Sequence, residues 1–539
     1  MNRLMSACLL LAAGCSAVAP SLPSPVPPRV AGAAERGRLA PETPLAFTLG
    51  LTLRDRAGLA ALHASGAGLT PAGFGERFGP TGAAYAHVVA WLRAHGLTVE
   101  EMASHASLHV SGRAADIEVA LGTELHQYAD ARGTFFAPTA LRPDASIVPT
   151  LAGALGLDNA ALFLPRHQPV QPQFSGGSAD PGDLRALYNA PPMTGELGDG
   201  ETIAILGAGN PPDPAMDVDG FILKFTLPVP NRKGQYAQVF LGGPNRDSAA
   251  LANNEYSENL LDVDMALNMA PHADIIHVLT ATNGGLFADG IDFIVNNIPQ
   301  AHQVSVSYGT CEALAAGSAL VLDQLFAQAK AQGQQWFFAS GDNGSNGCEK
   351  GPGNKVPAVG WPTSSPYVIS VGGTQLTLDA MSNVTGEIAW SAGGGGQSEI
   401  LGKPAYQVAQ AGDTRPRTPA DGVRDVVDIA ALSGPPGINY YGQGQQQSAE
   451  GTSFATPMWA GIFALIDQAR GGQGISNGAE RLYQLGATSG MGFKDITSGS
   501  NGSDGTNGVS GAPGYAAGPG WDFATGWGAP NIQQLISQW

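Results

Sequence analysis

Basic side chains are scarce: 27 lysines and arginines stand against 45 aspartates and glutamates, a formal net charge of −18. With no basic face to neutralise phosphates, nucleic acid is excluded as a partner. Long apolar runs are missing as well. The run at residues 4–13 is too short to span a bilayer as a helix, and no later stretch offers the ~18 uninterrupted apolar residues that a membrane helix needs, so the mature chain is not expected to cross a membrane. The 74 glycines follow no Gly-X-Y period, which removes a collagen-like reading. Cysteine is limited to four, and Cys8 and Cys15 lie in or beside the N-terminal segment. That leaves Cys311 and Cys348, which an oxidising compartment would pair.

What is present begins with a secretory pattern. Met1-Asn2-Arg3 ahead of the short apolar run reads as a signal peptide over residues 1–19. Ala12-Ala13-Gly14-Cys15 resembles a bacterial lipoprotein cleavage box, so a secreted protein and one anchored through a lipid on Cys15 both stay open. With 539 residues there is room for more than one core. A Pro/Ser-rich leader at 20–28 and a Pro/Gly/Gln-rich stretch at 165–182 mark boundaries. Between them, Phe74 with Phe78 and the string from Tyr85 to Leu92 have helical spacing, and Ser107-Leu-His-Val-Ser111 alternates as a strand, which reads as a small α+β domain. Past residue 182, strand-like runs alternate with helical ones, expected near 257–269, 317–332 and 457–469. This predicts an α/β, doubly wound, mainly parallel sheet with functional groups in loops beyond the strand ends. The glycines at 393–396 read as a flexible substrate-side loop. Gly207-Ala-Gly209 lacks the third glycine and the later acidic partner of a dinucleotide site.

Three motifs carry chemistry. In Gly451-Thr-Ser-Phe-Ala-Thr-Pro457, a serine opens an apolar helical stretch, where backbone N–H groups and the helix dipole favour developing negative charge; Pro457 is expected in the first turn. Ser453 is placed as a nucleophile. It needs a base, yet seven of the ten histidines, His63 through His167, precede this region, and none of His272, His277 and His302 stands in a His-Gly-Thr context. Glu258-Asn-Leu-Leu-Asp262 instead sets two carboxylates one turn apart on a helix face. So close a pair does not ionise independently, and a carboxylate base still works at a pH where imidazole is protonated. In Ala339-Ser-Gly-Asp-Asn-Gly344 a tight turn exposes Asp342, whose acid form can donate to an oxyanion.

These residues together resemble the sedolisin family of serine-carboxyl peptidases, kumamolisin-like relatives of the subtilisins. The resemblance implies that Glu258 takes the proton of Ser453, that Asp262 orients Glu258 and shares its charge, and that Asp342 completes the oxyanion hole. It implies a subtilisin-like catalytic domain over 183–539 with helices on both faces of the sheet. It also implies a ferredoxin-like inhibitory propeptide over 33–165, carried by Leu69-Thr-Pro-Ala-Gly-Phe74, Arg77-Phe-Gly-Pro80 and Trp91-Leu-Arg-Ala-His-Gly-Leu97, and a self-cleavage linker at 166–182. Ser305-Val-Ser-Tyr-Gly309 resembles the family's substrate-side strand. Lys494-Asp-Ile-Thr-Ser-Gly499 and Gly518-Pro-Gly-Trp-Asp522 resemble its calcium site, implying one structural Ca²⁺ with carboxylates from Asp495 and Asp522 and carbonyls from Ile496, Gly518 and Gly520. Phe454 stands where the family has a small residue, which implies an altered substrate preference, and Asn343 replaces a serine. The expected partners are polypeptide substrates and the chain's own propeptide, acting on a monomer. A tripeptidyl-peptidase of the same mechanism and a catalytically inactive calcium-binding surface protein are the alternatives.

Overall fold

The structure, a computed structural model, describes residue 22 and residues 26–539 apart from 67, 161–163, 166–167, 170–176, 210–213, 230–234, 242–254, 281–283, 349–355, 382 and 503–512. The signal-peptide and Cys15 expectations, and much of the expected linker at 166–182, lie outside the described residues.

The N-terminal domain follows a βαββαβ order: strand Pro44–Leu51, helix Gly82–Ala94, strands Thr98–Glu101 and Ser107–Arg113, helix Ala114–Leu121 and strand Leu151–Leu155. Its four antiparallel strands lie in the spatial order Thr98–Glu101, Ser107–Arg113, Pro44–Leu51, Leu151–Leu155, which is the ferredoxin-like arrangement. Sequence pattern explains the local choices. Thr81 caps helix Gly82–Ala94 by accepting from the Ala84 N–H, and Tyr85, Val88, Val89 and Leu92, one helical stripe, are all buried.

The other face of this sheet rests on two helices of the C-terminal domain, Gly284–Asn297 and Glu312–Ala331. Gly50 and Gly153, paired across adjacent strands, receive Val321 from the second helix: a Cβ on either glycine would come within 2.6 or 2.8 Å of the valine methyls. Hydroxyls complete the seam. Thr48 donates to Asp289 at 3.3 Å, Ser107 to Asp292 at 2.5 Å and Ser104 to Asn296 at 2.7 Å, while His63 Nε2 lies 2.9 Å from the Ala327 carbonyl.

The C-terminal domain is built on an eight-stranded sheet. Strands Tyr236–Phe240, Asp274–Thr280, Thr202–Ala208, Gln303–Val306, Gln335–Ala339 and Ile369–Leu378 run parallel in that spatial order; Val384–Ala389 closes the edge antiparallel, and Ile429–Leu432 adds to Ile369–Leu378. Chain order reverses between Thr202–Ala208 and Gln303–Val306, the switch point where such sheets gather their sites. Helices cover both faces, with one core around Leu260, Met458 and Phe463 and the other around Ile291, Phe326 and Trp336. Cys311 and Cys348 form a disulfide.

Candidate active site

Two helices carry the expected nucleophile and carboxylate pair. Glu255–Met269 is buried on every side, and so is Thr452–Ala469 up to Asp467. Gly461 lets them touch: a Cβ there would lie 2.7 Å from Met269 Cβ and 2.9 Å from the Ala266 carbonyl. The nucleophile helix starts at Thr452, earlier than the apolar pattern suggested, so Ser453 is its second residue and Pro457 lies inside the helix rather than in its first turn. Proline has no N–H to return to the carbonyl four residues back, so the Ser453 carbonyl is released from the helical ladder.

Ser307, just beyond strand Gln303–Val306, fills this gap. Its Oγ lies 2.6 Å from Asp262 Oδ1 and 3.4 Å from the Ser453 carbonyl oxygen, so one hydroxyl connects the carboxylate pair with the backbone of the nucleophile. Burial, then the Glu258 carboxylate one turn away, holds the Asp262 carboxyl well above the usual range. The Ser307 hydroxyl donates to Asp262 Oδ1, which offsets part of that rise, and its other acceptor within reach is the Ser453 carbonyl. Glu258, Asp262 and Ser453 are all 0 % exposed.

Asp342 follows strand Gln335–Ala339 through a turn at Gly341, whose φ of +115° only glycine adopts easily. Asp342 Oδ1 accepts from both the N–H and the hydroxyl of Thr452, each at 2.9 Å, and so sits against the residue preceding the nucleophile. The glycines at 393–396 are buried and hold this turn rather than forming a flexible loop. Gly394 donates to the Gly341 carbonyl at 2.7 Å, and a Cβ on Gly394 would lie 2.3 Å from the Ser340 carbonyl oxygen, an approach only backbone allows. Phe454, expected to tune substrate preference, turns into the core and meets Tyr440 edge-on at 6.0 Å. Glu450, two residues before the nucleophile helix, is pushed up to about 7 by burial and by the Asp342 charge.

Two short strands of the chain itself lie on either side of these groups. Leu164–Pro165 pairs antiparallel with Tyr308–Cys311, immediately after Ser307, and Gln168–Pro169 pairs antiparallel with Gln445–Glu450, immediately before Gly451. Sequence reading missed these strands, along with Ser307 and Thr452.

Four of the expected calcium ligands, Asp495, Asp522, Gly518 and Gly520, come together around one loop. Asp495 accepts from the Gly520 N–H at 3.0 Å, and Asp522 accepts from Gly518 at 3.1 Å and from Ala524 and Thr525 at 2.9 Å, so the two carboxylates grip one loop from both sides. Asp495 Oδ1 is buried without a hydrogen-bond partner, and no described group donates to the carbonyls of Ile496, Gly518 or Gly520. An orphaned carboxylate oxygen beside open carbonyls fits a hard cation. Arg415 shares the other Asp495 oxygen at 3.6 Å.

A serine at a helix N-terminus, a buried carboxyl pair joined to its backbone and a third acid at the adjoining turn, all at the switch point of a doubly wound sheet, define a serine-carboxyl peptidase on a subtilisin-like scaffold. Comparison with known proteins gives the same class. Residues 31–153 match the activation domain of pro-kumamolisin, and residues 247–528 match the subtilase family. Sedolisin of Pseudomonas sp. is 26% identical over 80% of this chain and 75% of its own length. Kumamolisin of Bacillus sp. is 28% identical over 77% of each. The solved structure of Pseudomonas sedolisin, a serine-carboxyl proteinase complexed with pseudo-iodotyrostatin, is 27% identical with a TM-score of 0.57, covering 67% of this chain and 97% of that one. The chain belongs to the subtilase family, in its sedolisin branch of serine-carboxyl peptidases, and carries that branch's activation domain.

Proposed function

We propose that the chain is a secreted, acid-active endopeptidase made as a self-processing zymogen, with Ser453 as nucleophile, Glu258 as general base, Asp262 as its supporting carboxylate and Asp342 as oxyanion stabiliser. The observation that carries this reading is the buried Glu258–Asp262 pair tied through Ser307 to the residue it would activate. With Asp262 holding a proton, the pair keeps one negative charge, on Glu258. Glu258 takes the Ser453 hydroxyl proton as Oγ attacks the scissile carbonyl, and Asp342 in its acid form donates to the oxyanion. The leaving amine then receives the proton from Glu258, and water repeats the sequence on the acyl-enzyme.

Strands Leu164–Pro165 and Gln168–Pro169 support endopeptidase action over tripeptide trimming. They lie on either side of the nucleophile loop, so the chain enters at one end of the cleft and leaves at the other. The same two strands support a self-cleavage bond bracketed by Pro165 and Gln168, at the N-terminal edge of the expected linker. Mass spectrometry of acidified zymogen is expected to find that cut in wild type and an intact chain in Ser453→Ala; a first cut elsewhere contradicts the bracket. A catalytically inactive calcium-binding protein would have no use for a buried pair of acids that costs stability. The Cys311–Cys348 disulfide supports an oxidising, extracytoplasmic destination.

Acid operation is supported by further carboxyls that burial raises: Asp289 and Asp323 to about 7, Asp292 to about 6. The sign is that of a raised folded-state pKa. Their stabilisation is complete below the unfolded value near 4 and is lost as pH rises through 6 and 7, when each buried group must ionise. The Ser453→Ala zymogen is therefore expected to melt about 5 °C lower at pH 8 than at pH 5; an equal or higher midpoint at pH 8 contradicts this.

Calcium, when bound by Asp495, Asp522 and the three carbonyls, would supply positive charge that fixes the loop beside strand Ala529–Pro530. Adding Ca²⁺ at about 100 times its dissociation constant to calcium-depleted zymogen is expected to add about 2.7 kcal/mol, or roughly 5 °C in the midpoint. Asp495→Asn should lose that response, and a parent that does not respond contradicts the site.

A further inference from the structure

Three side chains outside the catalytic scheme converge at the opposite end of the strands. Glu201 directly precedes strand Thr202–Ala208, His302 directly precedes strand Gln303–Val306, and Asp467 lies in the last turn of the nucleophile helix. His302 Nδ1 is 2.9 Å from Asp467 Oδ2 and 4.0 Å from Glu201 Oε2, and one ligand atom from each residue lies within 4.8 Å of the other two. Glu201 is 3 % exposed and Asp467 0 %, and a carboxyl oxygen of each lies within 4.8 Å of the other. Two buried carboxyl groups this close either share a proton or are bridged by a cation. Beyond His302, the neighbouring positive charge is Arg470, whose Nη1 is 4.0 Å from the other Asp467 oxygen and faces outward from a largely exposed side chain.

A second observation points to a ligand. Gln303 is fully buried with its amide head at Asp467, Nε2 lying 3.4 Å from Oδ2, and its Oε1 has no hydrogen-bond partner. A cation between the carboxylates would let that amide turn over and present the orphan oxygen in place of its N–H. The following loop is wrapped around the carboxylates. Gly474 donates its N–H to both Asp467 oxygens at 3.1 and 3.0 Å. Gly472, at φ +67°, approaches so closely that a Cβ would lie 3.0 Å from Glu201 Oε1.

We propose that Glu201, His302 and Asp467 form a binding site for a divalent transition metal of the zinc type. One imidazole nitrogen and two carboxylate oxygens suit Zn²⁺, whereas calcium sites are built from oxygen alone. Water fills the remaining position on the side of His302, whose side chain is 20% exposed. The metal ties the entrances of two central strands to the end of the helix that begins with the nucleophile, so its effect on the enzyme is through rigidity rather than chemistry. This site is independent of the proposed calcium loop, which uses Asp495 and Asp522.

The test uses the full-length Ser453→Ala chain, stripped of metals and returned to saturating calcium at neutral pH, titrated with zinc chloride in a calorimeter. One zinc per chain is expected, together with a higher thermal midpoint. His302→Ala and Glu201→Gln should lose both effects while keeping the parent's circular dichroism. His272→Ala, at a half-buried histidine paired with the exposed Asp199 outside the cluster, should keep both. Cobalt(II) in place of zinc should give visible d–d absorption in the parent and none in His302→Ala. Absence of zinc binding by the folded parent, or binding undiminished in both cluster variants, overturns the site and leaves a carboxyl pair sharing a proton.

Discussion

Replacing Glu258 by glutamine is expected to lower kcat by roughly 10³- to 10⁴-fold on a protein substrate, with little change in KM. The substitution keeps the size of the side chain in a helix position that is 0 % exposed, so packing against the nucleophile helix survives. On the proposed mechanism, what disappears is the ability to take a proton from Ser453. Because Asp262 stands one turn away with Ser307 on its other side, the same change also relieves the repulsion that raises Asp262. Asp262 should then ionise more readily in the variant, and the residual activity should show a pH dependence unlike that of the parent. A variant retaining more than a tenth of parental kcat would mean that another group acts as base.

Replacing Asp342 by alanine is expected to cost about 10²- to 10³-fold in kcat, the range for loss of one oxyanion donor. Asp342 also accepts both hydrogen bonds from Thr452, so a displaced helix start contributes to the loss as well. Thr452→Val separates the two effects: it deletes the hydroxyl contact and leaves the acid and the backbone contact in place. A cost at Asp342 far larger than at Thr452 assigns the effect to the oxyanion. Equal costs would reduce Asp342 to a cap on the nucleophile helix.

Much of this candidate site was legible because its residues lie in short, contiguous strings. Ser453, the Glu258–Asp262 pair and the turn at Asp342 each announce themselves through a local pattern, and helical spacing places both members of the pair on one face. The βαββαβ order and the parallel sheet likewise follow from alternating apolar periods. Features defined by a partner distant in sequence were not legible. Nothing in Ser305-Val-Ser-Tyr identifies Ser307 as the link between Asp262 and the Ser453 carbonyl, although Pro457, four residues beyond Ser453, was a usable sign that this carbonyl needed another donor. Leu164–Pro165 and Gln168–Pro169 are too short for any periodicity and are strands only because two edges receive them. The glycines at 393–396 mislead for a related reason: glycine serves equally for freedom and for close backbone approach, and only the 2.3 Å that would separate a Cβ on Gly394 from the Ser340 carbonyl oxygen distinguishes these uses. The neighbours of Phe454 in sequence suggest a role at the substrate, whereas helical rotation sends it into the core.

A serine activated by carboxylates rather than by imidazole is the centre of the proposed mechanism. The direct test is hydrolysis of denatured haemoglobin by purified protein from pH 2.5 to pH 8, wild type beside Ser453→Ala. Activity confined to acid in wild type and absent at every pH in Ser453→Ala is the predicted result. A wild-type optimum near neutrality, or hydrolysis that survives loss of Ser453, would contradict it.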